Sequence, residues 1–191
     1  METTYWVEGK GKPQTAILRV NRQIRREALP LLYSRHRFGF DTHVEALPPF
    51  IRDLTAEARN CIKSVAMTKR AAPFAKDYDC AEWANACKCI ATMLPALEEL
   101  KLCVIACKPS REGWHDIEPI EKEDMERMIQ EYSFEWVTDL LQIKGLKKLD
   151  IQPQVQKCMS PGSNAMFHWI RFSKSIASSF TDVVRGMMVG D

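Results

Sequence analysis

The sequence predicts an α/β fold: an N-terminal helical cap followed by a layer of short parallel strands backed by helices. Three observations predict it. An amphipathic helix pattern fills residues 17–33, an apolar-x-x-apolar-x-apolar spacing occurs three times after residue 61, and a loop with a helix-like stretch follows each occurrence. Strand, loop, helix, strand is the order of parallel crossovers, since two parallel strands cannot be joined by a tight turn.

Residues 1–15 are polar and hold Gly9, Gly11 and Pro13, so they read as a lead-in arm, with Trp6 a candidate anchor. Residues 16–191 read as a single domain, divided into a cap over 16–60 and a repeat-like α/β part over 61–191. The first helix is expected over 14–29, with Ile17, Val20, Ile24, Ala28, Leu31 and Leu32 on one stripe and Arg19, Arg22 and Arg26 opposite. Pro30 either kinks this helix or starts a short second one ending at Tyr33. Asn21 falls near the apolar stripe and is expected to be partly buried, with a structural role that needs hydrogen-bond partners.

Phe38 and Phe40 alternate with Arg37 and Gly39, which predicts a short strand. Helices over 44–54 and 56–60 follow, the first interrupted at Pro48 and Pro49. The three recurring units are Ile62, Val65, Met67; Leu97, Leu100, Leu102; and Leu146, Leu149, Ile151. Helices are expected over 80–94, 122–143 and 164–185.

The spacing of these units is similar to the L-x-x-L-x-L core of leucine-rich repeats, in which the strand lines a curved face and a helix packs behind it. The steps of 35 and 49 residues between units exceed the ~20–29 of regular repeats. Arg70, Ile105 and Gln154 stand where such repeats carry a buried Asn or Cys. The expectation is therefore an irregular leucine-rich-repeat-like layer.

The segment Leu18-Arg-Val-Asn-Arg-Gln-Ile-Arg-Arg-Glu-Ala-Leu-Pro-Leu-Leu-Tyr33, closed by Arg37-Phe-Gly-Phe40, resembles a group of fungal F-box-like proteins. Their pattern reads L-x-V-C/N-R-Q-I-x-x-E-A-L-x-x-L-Y followed by an aromatic strand. The resemblance is good over about 25 residues and continues loosely through Ile62-Lys-Ser-Val65 and the leucine-rich units. It implies an F-box-like cap with a leucine-rich-repeat-like tail, and an adaptor role in recruiting substrates to a larger complex. The L-P-x-E-I-R helix with which such proteins commonly begin has no counterpart in residues 1–16.

Composition fits a globular chain, with 46% hydrophobic and 27% charged residues and no apolar run near the length of a membrane span. The first twenty residues lack the apolar core of a secretory signal, so a nuclear or cytoplasmic location is expected. The odd count of seven cysteines fits a reducing compartment, and with no C-x-x-C pair neither a metal nor a cofactor is expected. The net charge of +2 splits into +6 over residues 1–70 and −4 over 71–191. The two halves either face each other or leave a basic surface for an acidic partner or a phosphate backbone.

No nucleophile elbow, P-loop, dinucleotide fingerprint or H-E-x-x-H occurs, and His36, His43, His115 and His168 are scattered. The chain therefore reads as a non-catalytic protein-interaction module, an adaptor or subunit of a hetero-oligomeric intracellular complex. Partner-binding residues are sought where strands of a parallel sheet end, over 69–79, 107–121 and 152–163, which supply Phe74, Tyr78, Trp114, His115 and Met159. Trp114 sits in an acidic stretch with no core partner by periodicity, and either folds back as a plug or anchors a protein contact. The C-terminal helix, with Phe167 and the tail Met187, Met188 and Val189, carries surplus apolar surface suited to a subunit interface. The alternative is nucleic-acid binding through Arg19, Arg22, Arg26, Arg35 and Arg37.

Overall fold

The computed structural model describes residues 6–8 (backbone only), 21–71, 75, 79–109, 114–130, 134–158 and 162–190. Four parallel strands and one antiparallel strand form a sheet in the order β1-β2-β3-β4-β5: Trp6–Glu8, Arg37–Gly39, Ser64–Arg70, Glu99–Pro109 and Lys148–Cys158. β1 is the antiparallel member, laid against β2. Among the described residues, no helix is long and apolar enough to cross a membrane.

The three apolar units set the register. Val65 pairs with Leu100 and Leu100 with Leu149, while Met67, Leu102 and Ile151 form the next row. Residues two apart share a face, so both rows point into the helix layer, where all six are buried. Ile62, Leu97 and Leu146 lie in the turns entering the strands and are buried too. The entries repeat the same bonding: Glu98 and Glu99 donate backbone N–H to the Lys63 carbonyl, and Lys147 and Lys148 to that of Glu98. Side chains follow suit, with Glu98 between Lys63 (2.8 Å) and Lys147 (3.2 Å). Those two ammonium groups hold the exposed Glu98 carboxyl below its usual range.

The first helix, α1 (Arg22–Arg35), begins later than periodicity suggests. Asn21 is its N-cap, with extended backbone, and its Oδ1 accepts the Ile24 N–H at 2.8 Å. Asn21 is therefore structural but exposed, because a cap side chain satisfies an orphan donor at the helix end rather than packing on a stripe. Pro30 lies inside α1 on its exposed side, where water can take the Arg26 carbonyl that the ring leaves without an N–H. Ile17, Arg19 and Val20 lie outside the described residues. A 3-10 turn (Val44–Ala46), α2 (Leu47–Asp53) and α3 (Ala56–Arg59) follow β2, and α4 (Asp79–Met93) joins β3 to β4.

Two expected helices are divided. The span 122–143 becomes α5 (Lys122–Gln130) and α6 (Glu135–Leu140), with Phe134 outside helical geometry at φ −132°, ψ 62°. The span 164–185 becomes α7 (Asn164–Ser175), a π segment (Ile176–Phe180) and α8 (Thr181–Met188), divided at Ser178 (φ −125°, ψ −108°). These breaks let Phe134, Trp136, Phe172 and Phe180 turn inward together. Phe134 and Phe172 centroids lie 4.7 Å apart, Phe172 and Phe180 5.2 Å, and Trp136 and Phe180 5.7 Å. Trp83 of α4 joins through its indole N–H, which donates to the Trp136 carbonyl at 2.8 Å.

β4 and β5 run 11 residues each, so 152–158 is strand and not the exit loop expected there. Their register is continuous from Glu99–Lys148 to Pro109–Cys158, and that ladder carries β5 beyond its apolar unit. β5 is an edge strand. Leu149 turns its carbonyl to the free edge, where the Arg185 guanidinium donates to it at 3.4 Å. By alternation Pro153 faces the same way, so the missing N–H falls on the open side, which blunts the edge against strand addition.

Candidate functional site

At the exit end of β4 the chain turns into the stretch 114–121, whose backbone is held by one face of α7 and the π segment. The Lys174 ammonium donates to the carbonyls of Trp114 (2.9 Å), His115 (3.0 Å) and Ile117. Arg171 donates to the carbonyls of Glu118 (3.1 Å) and Pro119 (3.3 Å). The Ser175 hydroxyl accepts the Ile120 N–H at 2.6 Å, and the Ser179 hydroxyl donates to the Ile120 carbonyl at 2.6 Å. Residues 171, 174, 175 and 179 recur at three- and four-residue steps, so one helical face meets the whole loop. Ser173, on a neighbouring row, accepts the Cys107 N–H at 3.2 Å where β4 outruns β3.

Trp114 is half-buried in this assembly, with Lys108 and Lys174 ammonium groups 5.5 and 5.9 Å from its ring centroid. Cation–π attraction to both fixes the indole against the exit edge. His115 is exposed beside it. Phe74, Tyr78 and Met159 lie outside the described residues.

One turn before Arg171, on the same face of α7, the loop no longer covers the helix and Phe167 is left 44% exposed. It lines an open groove of about 430 Å³ with Asp116, Ile117, Glu118 and Arg171. Asp116, Glu118, Glu121 and Glu123 are exposed along this stretch, and among the described residues none is ion-paired. On the other flank of α7 lies a second groove, lined by Met128, Phe134, Ala165, His168 and Trp169. Periodicity alone marks Phe167 as part of an apolar surplus. The row Arg171, Lys174, Ser175 was the missed signal, a polar seam on a helix otherwise rich in apolar residues.

The basic residues do not form one surface. Arg22, Arg25, Arg26 and Arg35 are exposed on α1, and none pairs with a carboxylate among the described residues. Arg37 belongs to the sheet, where it donates to the Ser64 hydroxyl (3.0 Å) and to Glu99 (3.5 Å). Arg19 lies outside the described residues. Nor do the basic and acidic parts face each other. Tyr33 of α1 stacks on Phe38 of β2, whereas the acidic stretch is tied to α7, which packs on β4.

Lys69 is a buried cation that the sequence did not single out. It is 3% exposed, with its ammonium 5.1 Å from the Trp83 centroid, and burial lowers its pKa against the pull of Asp79 and Asp139. The thiols are inert by the same physics: burial raises Cys87, Cys89 and Cys103, and lifts Cys158 to about 11. Among the described residues, no three His, Cys, Asp or Glu side chains are grouped to hold a metal ion.

No family model, no curated protein and no solved structure matches this chain.

Proposed function

We propose that this chain is a non-catalytic protein-interaction module, an adaptor or subunit of an intracellular complex, that binds a partner at its strand-exit edge. The observation that carries this reading is the exposed Phe167 beside a loop whose backbone groups are already satisfied by α7. A loop held this way loses little freedom on binding, and a large aromatic at the rim of a groove is the usual anchor of a protein contact. In this reading the parallel layer is an irregular leucine-rich-repeat-like tail and α1 with β2 its cap, in keeping with the fungal F-box-like resemblance of residues 18–40. The raised thiol pKa values add support, since they remove the readiest nucleophiles.

The test is purification of the native chain with its stoichiometric protein partner, followed by affinity measurement with Phe167→Ala. An anchor contributes about 1–3 kcal/mol, so binding is expected to weaken roughly 10- to 100-fold. Unchanged affinity would move the contact elsewhere.

The exposed arginines of α1 favour one second reading, nucleic-acid binding at the β2 end. It requires a mobility shift that weakens steeply with salt and is lost on changing Arg22, Arg26 and Arg35 to Ala.

A further inference from the structure

We propose that the acidic groove around Phe167 receives helix α1 of a second copy of this chain, in a head-to-tail contact. The inference rests on the docking edge proposed above and names its occupant.

The argument begins with charge. α1 presents four exposed arginines without a carboxylate partner among the described residues, and the stretch from Asp116 to Glu123 presents four exposed carboxylates without a cation. The two surfaces belong to opposite ends of the sheet, α1 against β2 and the acidic stretch against β4 and α7, so one copy cannot neutralise itself. A second copy can, because each surface meets the complement of the other. Opposed single-sign surfaces steer association and fix its orientation.

Apolar exposure follows the same division. The large hydrophobic residues most exposed among the described ones are Leu31 (51%), Phe167 (44%) and Val155 (42%). Leu31 projects from α1 beside Arg35, one turn on, and Phe167 projects beside Asp116 and Glu118. Each charged surface thus surrounds one large apolar side chain, the pattern of an anchor within a polar rim. α1 also has contact surface to spare, since only Leu29 of its 14 residues is buried. A helix laid in a groove and anchored by one leucine is a small contact, so its affinity is micromolar in scale. A heterologous contact leaves one helix and one groove open at the ends, and association therefore continues past the dimer.

Sedimentation velocity of the full chain at low ionic strength, from about 1 µM to about 1 mM, tests this. The expected result is a concentration-dependent rise through dimer to larger species, reversed by added salt as screening shortens the reach of the charges. Leu31→Asp and Phe167→Asp alter exposed side chains, and circular dichroism checks that both variants stay folded. Each alone is expected to be monomeric. Mixed one to one they are expected to give a discrete dimer, because the first keeps its groove and the second its helix. A wild-type chain that stays monomeric throughout, or a mixture that stays monomeric, overturns the proposal. If the chain is monomeric while a different partner still requires Phe167, the occupant is wrong and the docking edge stands. If no partner requires Phe167, both fall.

Discussion

Helices α1 and α7 both flank the sheet, yet they are held in different ways. α1 buries Leu29, stacks Tyr33 on Phe38 at 5.7 Å and depends on Asn21 for its first turn. α7 buries Ile170, Phe172, Ser173 and Ser175, and uses its remaining face to bind the backbone of a loop. Burial sets how firmly an element is held, and the polar groups beside that burial set what it can organise. At the β2 end charge is displayed on a lightly anchored helix. At the β4–β5 end a packed helix turns an irregular stretch into a fixed surface with Phe167 at its rim.

The largest expected effect lies in the aromatic cluster. Phe172→Ala removes a ring in contact with Phe134, Trp136, Trp169 and Phe180, and unfolding in denaturant is expected to show a loss of about 3–5 kcal/mol. A loss below about 1 kcal/mol would mean that this end is no better packed than the other.

Lys174→Met comes next. It deletes three bonds to loop carbonyls, for about 1–2 kcal/mol given that the lysine keeps some access to water. Hydrogen exchange should accelerate over 114–120 and stay unchanged in β3 and β4. Equal exchange in both chains would show that the loop is held by something else.

Asn21→Ala is expected to cost about 1 kcal/mol, with faster exchange confined to the first turn of α1. If that substitution also loosened 114–120, the two ends would be coupled and the contrast between them would fail.

The contrast also explains how much could be read beforehand. Val65, Leu100 and Leu149 were legible as aligned rungs because period-two burial leaves a direct mark on the sequence. The helix breaks were not. Phe134 and Ser178 lie in stretches whose apolar periodicity continues across them, and only the packing of Phe172, Phe180 and Trp136 in three dimensions demands a break. Asn21 was assigned to a stripe by counting angles, although Asn ahead of a helix is equally a capping signal. The strand beyond Ile151 was hidden for a related reason: Gln152, Gln154 and Gln156 look like loop, and the ladder to β4 extends them as strand. Of the candidate site, Trp114 and His115 were placed on the exit edge by topology alone. Lys174, Arg171 and Ser175, which fix that edge, become visible only when α7 and the loop are brought together.

Hydroxyl-radical footprinting of the purified chain, with and without its bound protein partner, tests the central claim most directly. The account predicts that Phe167 and His115 lose reactivity on binding while Cys103 and Gln154, on the polar face of the sheet, keep theirs. Protection of Cys103 and Gln154 with Phe167 still fully reactive would contradict it.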